Sequence, residues 1–298
     1  MSVPAAYLGI VLIWSTTPLA IQWSAQEAGF SFAVFARMLI GFVVAGLIVC
    51  IWRIGFPLHA RARRAYLLGG ISLFFAMALT YWGARFIHSG LVSVLFGLSP
   101  LITSLLAQAL LREHQLHRGQ WLGILLGMTG LAVIFIHGQH LEGPHTLLGL
   151  GAVLSAVTLY SAGLVGLKRI ADDSPPLATT VGSLGVALPL FGILWWLTDG
   201  QWPSTLGARS VSAILYLGVF GSVIGFALYY YVIKHLDASR IALITLITPV
   251  IALWLGHALN GEAVGIRLAA GSGCILAGLL LHQGPQLLKS LRLIAATR

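Results

Sequence analysis

Arg37 is the charged residue whose position says most about chemistry, because it lies about five residues inside a long apolar run. An arginine at the centre of a bilayer costs about 2.5–3.5 kcal/mol on insertion scales. Its planar guanidinium suits a carboxylate or a phosphate. Two interpretations stay open: an anchor for an anionic substrate group, or a helix-end anchor bonded to carbonyls of neighbouring helices.

Two prolines and two polar residues occupy matching places in other apolar runs. Pro100 and Pro249 lie about a third of the way into their runs, and Gln108 and His257 follow them by eight residues. Proline frees a helix carbonyl, which is tolerated beside a cavity or another helix, so we expect kinks that shape a cavity or serve packing. An intramembrane histidine can bind substrate or take part in proton coupling, although a hydrogen-bonded core histidine is the commoner case.

Aromatic side chains with polar tips lie in several apolar runs, and they can line a site for an amphipathic or aromatic solute. The alternative is an interfacial belt, which Trp and Tyr near helix ends usually form. The complete set of residues predicted to line a substrate site is Trp14, Arg37, Tyr81, Pro100, Gln108, Tyr160, Tyr230, Pro249 and His257.

Signatures of catalysis are weak in this sequence. The segment Glu113-His114 with His117 is too short and exposed for a closed zinc site. No Gly-rich phosphate loop followed by Lys-Ser/Thr is present, so the chain is not expected to hydrolyse ATP alone. We therefore expect no cofactor, no metal and no enzyme activity, with an intramembrane enzyme acting on lipid-linked substrates as a competing class.

The elements that must position these residues are membrane helices. Of the 298 residues, 58% are hydrophobic and 8% are charged, against about 25% charged in soluble domains. The first run has no basic n-region, so we read it as a span rather than a signal peptide. Ten spans are predicted, at 4–24, 32–52, 65–86, 90–111, 120–137, 146–167, 175–198, 210–233, 239–260 and 265–282.

The basic residues predict the orientation of these spans. Thirteen of the 17 Lys and Arg lie on the side of the loops after even-numbered spans and of the C-terminal tail, against three, Arg85, Arg209 and Arg267, on the other side. The positive-inside rule then places both termini in the cytoplasm of a bacterial inner-membrane protein. The net charge of +9 indicates contact with anionic lipid of the cytoplasmic leaflet, and nucleic acid is not expected as a partner.

An internal repeat organises the chain. Four pairs of similar residues lie 149 positions apart: Tyr81 and Tyr230, Arg85 and Lys234, Pro100 and Pro249, and Glu113 and Glu262. After a one-residue shift, Gly123 matches Gly271 and Gly130 matches Gly278. Both glutamates end an apolar run, where we expect them to cap a helix or bridge to an arginine, the alternative being proton carriage.

The repeat predicts an all-α polytopic fold of ten transmembrane helices in two inverted five-helix halves. Five is odd, so the second copy must enter the membrane from the opposite side. The predicted domains are 1–138 and 145–283, followed by a basic cytoplasmic tail at 284–298. Inverted repeats are typical of alternating-access transporters.

Residues 216–281 resemble the second EamA domain of the drug/metabolite transporter superfamily. The matching features are a Gly-rich span, aromatic residues, a basic residue, small-Ser, then Pro, Gly-Glu and a final glycine-containing helix. The first half resembles the other EamA domain through Trp14-Ser15 and Ala36-Arg37, although Glu113 follows Arg112 where the family usually has Gly.

The resemblance covers about residues 5–282 and implies what the protein does. It implies two inverted five-helix halves around a central cavity, with export of small metabolites such as amino acids or their derivatives. The expected partners are a small-molecule substrate, membrane lipids and a proton or solute counter-gradient. A passive channel is the other alternative.

Overall fold

The computed structural model describes residues 2–111, 117–136, 145–235 and 238–296, without the side chains of 135, 136, 230, 233, 234, 238–243, 283 and 285–296. This part of the chain holds twelve α-helices, one π-helical segment and no strand, so the predicted all-α class is confirmed. The elements are α1 (Val3–Ala28), α2 (Phe30–Ile51), α3 (Ala60–Gly83), α4 (Ser89–Phe96), α5 (Ser99–Leu111), α6 (Arg118–Ile136), α7 (Thr146–Ile170), α8 (Pro176–Thr198), α9 (Ala208–Tyr216), the π segment (Leu217–Ile224), α10 (Gly225–His235), α11 (Ala238–Asn260) and α12 (Ile266–Ala296).

Seven helical stretches within the described ranges are long and apolar enough to cross a bilayer. They are α1, α2, α3, α7, α8, the pair α4–α5, and the stretch Ala208–Tyr229 that joins α9 to α10. Three shorter apolar stretches, Arg118–Ile134, Ile244–Asn260 and Ile266–His282, fall at the fifth, ninth and tenth predicted spans. Since helices satisfy their own backbone hydrogen bonds in lipid, the chain is a multi-pass membrane protein.

Two predicted spans, the fourth and the eighth, are not continuous α-helices. The eighth contains the π segment, and the fourth is divided into α4 and α5. Between α4 and α5 the backbone turns, with the Gly97 N–H donating to Ser93 O at 3.0 Å and the Leu98 N–H to Leu95 O at 3.0 Å. Pro100 is the second residue of α5, where its missing N–H leaves no intrahelical bond unmade. The helix therefore breaks just before Pro100, whereas Pro249 lies inside α11.

The helices of the two predicted halves interleave. Helix α6 packs along α12, α3 packs against α7 and α8, and α1 packs against α11 and the α9–α10 span. Helix α2 contacts α8 and the π segment, and α4 contacts α11. Each of these pairs joins an element before residue 137 to one after residue 144, so the two halves share one interior.

One end of the bundle gathers carboxylates around helix starts. Gly29 links α1 to α2 with φ +74°, a backbone conformation that a residue with a Cβ rarely adopts. Across from it the Ser31 hydroxyl donates to Asp199 Oδ2 at 2.5 Å, and the Gly207 N–H that precedes α9 donates to Glu27. We call this end, which also carries Glu262, the acidic end.

Candidate functional site

Arg37 lies in the interior of the bundle, where its side chain is 6% exposed. Its Nε donates to Ser222 Oγ at 3.2 Å, and its Nη1 donates to the Tyr81 hydroxyl at 3.4 Å. The guanidinium carbon lies 6.0 Å from the centroid of the Tyr81 ring. One guanidinium thus connects α2, α3 and the π segment, which come from both halves of the sequence.

The charge of Arg37 has no carboxylate counterpart among the described residues, since none lies within 4.0 Å of it. The three described carboxylates of the acidic end instead face helix starts. Glu27 and Asp199 bond there as given above, and Glu262 does so at α4. Within the described ranges, no three His, Cys, Asp or Glu side chains come together to hold a metal ion.

Ser222 connects Arg37 to the π segment through its hydroxyl. The Ser222 Oγ donates to the backbone oxygen of Leu217 at 3.0 Å, five residues earlier. A hydroxyl has one hydrogen to donate and lone pairs to accept, so Ser222 serves Leu217 as a donor and Arg37 as an acceptor. Most π-helical segments are single-turn insertions, and these are frequent at functional sites. The π segment here is longer, at eight residues.

Glycines allow the π segment to approach α2 closely. A Cβ at Gly221 would lie 3.3 Å from Arg37 Nη2. A Cβ at Gly218 would lie 2.7 Å from Ile40 Cβ and 3.3 Å from the Arg37 backbone oxygen. The guanidinium therefore packs closely against the backbone at Gly221. The absence of side chains at Gly218 and Gly221 allows α2 and the π segment to approach closely enough for Arg37 to bond Ser222.

The same span carries the contact of a second predicted residue. Trp14 packs on Tyr229 with ring centroids 4.9 Å apart, and a Cβ at Gly225 would lie 3.4 Å from Trp14 Nε1. Trp14 and Arg37 of the first half thus both contact the stretch from the π segment into α10. Tyr81 joins this group through its contact with Arg37.

Three other predicted residues surround the break between α4 and α5. Pro249 is buried, and a Cβ at Gly97 would lie 3.6 Å from Pro249 Cγ. On the other side, Tyr160 packs on Phe96 with centroids 6.3 Å apart. Pro100 follows the break directly, so each proline of the repeat is near the same interruption, although only Pro249 lies in the interior of a helix.

The remaining predicted residues lie elsewhere. Gln108 is half-buried on α5. His257 is exposed near the end of α11, with Nδ1 2.9 Å from the backbone oxygen of Glu262. The side chain of Tyr230 lies outside the described residues. Whether these nine residues line one substrate site stays a prediction.

Glu262 makes a contact between the halves at the acidic end. It is 7% exposed, and its Oε1 accepts from the Ser89 N–H at 3.0 Å while its Oε2 accepts from the Gly90 N–H at 3.2 Å. These are the first two N–H groups of α4, which have no partner inside the helix and carry its positive dipole end. Glu262 therefore caps a helix, as expected from the sequence, and that helix belongs to the other half.

Asn260 extends this contact into a network. Its Nδ2 donates to Glu262 Oε1 at 3.0 Å and to Gln22 Oε1 at 3.2 Å. Its Oδ1 accepts from Trp23 Nε1 at 3.1 Å, and Gln22 Nε2 donates to Ile87 O at 2.7 Å. The group that we call the polar seam consists of Gln22, Trp23, Ser89, Gly90, Asn260 and Glu262.

Sequence reasoning did not identify Ser222, Gln22 or Asn260. Ser222 was visible only as part of a Gly-rich span, and the polar residues of the seam lie next to loops where polar residues are ordinary. Glu262 was marked by its repeat partner Glu113, which lies outside the described residues. Side chains of this kind acquire a role only through partners on other helices.

The geometry defines a class of protein: a multi-pass helical bundle whose two sequence halves pack around a buried arginine. The model of the EamA-like transporter family matches residues 3–136 and 147–282. The chain belongs to this family, whose members are transporters rather than enzymes.

Curated relatives extend over most of the chain. A probable amino-acid metabolite efflux pump of Salmonella typhimurium is 27% identical over 252 residues, 79% of this chain and 82% of the relative. Protein PagO of the same organism is 24% identical over 267 residues, 89% of this chain and 87% of the relative. An uncharacterized transporter of Archaeoglobus fulgidus is 26% identical over 202 residues, 67% of this chain and 69% of the relative.

A solved crystal structure has the same fold. It covers 95% of this chain and 97% of its own, with a TM-score of 0.64 and 19% sequence identity. At that identity the likeness concerns the fold alone.

Proposed function

We propose that this chain is a secondary active exporter of small metabolites, such as amino acids or their derivatives, working by alternating access between two inverted five-helix halves. The observation that carries the proposal is the double family match, at 3–136 and at 147–282. Two halves related by an in-plane pseudo-two-fold axis can exchange inward-open and outward-open shapes around a fixed site.

The contact between α6 and α12 supports an axis of this kind. A Cβ at Gly278 would lie 2.5 Å from Gly123 O, and a Cβ at Gly130 would lie 2.5 Å from Gly271 O. The repeat equates Gly123 with Gly271 and Gly130 with Gly278, so each contact is the image of the other. That reciprocity is what a two-fold axis between the helices requires.

A second pair of contacts agrees with the repeat. Gly69 of α3 faces α8, where its Cβ would lie 3.3 Å from Ser183 Cβ. Gly218 stands 149 residues later and faces Ile40 of α2. By the repeat, α3 on α8 is the counterpart of the π segment on α2. The same offset that relates the sequences therefore also relates close helix approaches.

The polar seam supports a state closed at the acidic end. The charge bias of the loops assigns this end to the outside, with both termini in the cytoplasm. In the seam, Glu262 and Asn260 of the second half bond to Ser89, Gly90, Gln22 and Trp23 of the first. Release to the outside requires these bonds to open.

The named relatives and the groups around the π segment both favour an amino-acid-like solute. One relative is named a probable amino-acid metabolite efflux pump, and the aromatic and guanidinium groups around the π segment suit a solute with an apolar body and an anionic group. A proton or solute counter-gradient drives the cycle. His257 is the histidine to test for proton coupling.

Counterflow in proteoliposomes tests the proposal. Purified protein is reconstituted into liposomes loaded with unlabelled amino acids, and entry of the same labelled amino acid is followed. A carrier gives saturable uptake with a transient overshoot. Unlabelled substrate inside the liposome occupies the site, carries it back to the outside and competes with the labelled substrate for exit. Linear, non-saturating flux would establish a channel instead, and chemical conversion of a lipid-linked substrate without translocation would establish an enzyme.

A further inference from the structure

We propose that Arg37 binds the carboxylate of the transported solute, and that this carboxylate rather than an amino group decides which solutes are accepted. The inference rests on the proposed function, because it names the substrate class of that carrier. Its observations are the burial of the guanidinium, its uncompensated charge and its position between the halves.

A buried guanidinium without a carboxylate partner leaves a charge for a ligand to neutralise. Removing a charge from water is costly unless it is paired and hydrogen-bonded. Arg37 is 6% exposed and is met by two neutral hydroxyls, which provide hydrogen bonds but no charge. An arginine has five N–H donors, of which the two hydroxyls accept from Nε and Nη1, so a bound anion can combine an unused Nη donor with the Nε donor that Ser222 now accepts.

The charge balance favours a carboxylate over a phosphate. Apart from Arg85 at the end of the third and Arg240 at the start of the ninth, Arg37 is the only Lys or Arg inside the first nine predicted spans. A single positive charge is matched by the single negative charge of a carboxylate, whereas a phosphate monoester brings about −1.5 to −2 at pH 7. Arg85 lies at the acidic end, where its guanidinium carbon is 5.2 Å from the Phe30 ring centroid.

Among the residues that the structure describes, no carboxylate lies within 4.0 Å of Arg37 to receive a substrate ammonium. The described carboxylates of the acidic end are held by helix starts or by Ser31. What surrounds Arg37 and the adjoining span instead is aromatic, with Tyr81 at the guanidinium and Trp14 packed on Tyr229 at an interplanar angle of 44°. Removing the amino group of a substrate is therefore tolerated, while removing its carboxylate is not.

Ser222 connects occupancy of Arg37 to the second half. Its hydroxyl accepts from Arg37 Nε while it donates to Leu217 O within the π segment. A carboxylate that binds side-on takes Nε and one Nη together, so it replaces Ser222 as the acceptor at Nε. Binding then loosens the bond between α2 and the π segment, a contact between the two halves.

The experiment compares four solutes that share one apolar body. Thermal stabilisation of the purified protein is titrated with L-phenylalanine, N-acetyl-L-phenylalanine, L-phenylalaninamide and phenyl phosphate, and then with the corresponding leucine compounds. We expect the amino acid and its N-acetyl form to stabilise, and the amide and the phosphate to bind at least tenfold more weakly. Stabilisation by the amide equal to that by the acid overturns the proposal, as does the absence of carboxylate-dependent stabilisation in both series.

Variants of the site separate binding from packing. Arg37→Gln should lose at least tenfold in affinity for the carboxylates, Arg37→Lys should recover part of it, and Ser222→Ala should bind no more weakly than the parent because Nε is released. Arg85→Gln is the matched control and should behave as the parent. If Arg37 only joins helices, Arg37→Gln and Ser222→Ala will both lower the melting temperature and leave affinities unchanged.

Failure of this inference and failure of the proposed function are distinguishable. Saturable counterflow with affinities that are indifferent to Arg37 would keep the carrier and remove the carboxylate site. Carboxylate-dependent stabilisation that Arg37→Gln abolishes, without any counterflow, would keep the binding site and remove the carrier.

Discussion

At the scale of single residues, polar groups in this bundle act by being paired across the two halves. Arg37 donates to Ser222, and Glu262 accepts from Ser89 and Gly90. In an apolar interior an unpaired polar group is costly, so each pairing fixes the position of the helix that carries it. The same residues are therefore the ones whose substitution is informative.

Glu262 provides a prediction at this scale. Glu262→Ala removes the acceptor for two N–H groups of α4, and we expect the free energy of unfolding to fall by about 1–2 kcal/mol. Glu262→Gln keeps one acceptor oxygen and should lose less. Chemical unfolding in detergent measures both variants, with Asp173→Asn in the exposed α7–α8 loop as the control. Equal stability of all three variants would show that the cap contributes nothing.

Among the helices, the arrangement of the bundle depends on which helices pack together and on where a helix is interrupted. The sequence predicts ten apolar runs but not that the fourth breaks at Gly97 or that the eighth contains a π segment. Both interruptions lie where a helix of the other half packs. This helix is α11, through Pro249, at the first interruption and α2 at the second. Local patterns define helices, whereas neighbours define their irregularities.

The glycine contact between α6 and α12 provides a prediction at the scale of elements. Gly130→Ala places a Cβ 2.5 Å from Gly271 O, so we expect a destabilisation of about 1–3 kcal/mol from overpacking. Gly273→Ala lies on the same pair of helices but meets nothing within 4 Å. It should be neutral or slightly stabilising, because Ala favours the helix over Gly. Melting temperatures in detergent compare the two, and an equal effect would contradict the close approach.

At the scale of the whole molecule, one interior is shared by both sequence halves. The buried cluster includes Val34 and Leu95 together with Val153 and Phe191. Both buried clusters of the described residues mix side chains from the two halves, so the alternating access proposed above must repack contacts between the halves rather than move two finished domains. Among the described residues, the polar seam joins the halves through the hydrogen bonds of Asn260 and Glu262.

Cross-linking the polar seam tests this directly. The side chains of Gln22 and Asn260 bond at 3.2 Å, so cysteines at both positions should be joined by a short bifunctional thiosulfonate reagent. The background carries Cys50→Ser and Cys274→Ser, the two native cysteines. We expect counterflow to stop on cross-linking and to return with reductant, while either single variant is unaffected. Undiminished counterflow in the cross-linked protein would mean that the seam does not open.

Orientation is a second property of the whole molecule. Gly55, between α2 and α3, and Ser204, between α8 and α9, are both exposed. In the background without native cysteines, Ser204→Cys should react with a membrane-impermeant maleimide in intact cells, and Gly55→Cys only with a permeant one. The reverse pattern would place the acidic end in the cytoplasm and overturn the orientation inferred from the loops.

The sequence by itself determined the membrane class, the all-α fold, the apolar runs and the 149-residue offset, because these depend on composition, on spacing and on the helical demand of lipid. It also placed Arg37 and Glu262 among the informative charges. Only the tertiary structure decided that Arg37 meets Ser222 and that Glu262 caps α4, since these partners lie 185 and 173 positions apart. Apolar helices of similar composition offer many faces for packing, and the choice among them is made by glycine contacts and polar pairs that exist only once the helices are assembled.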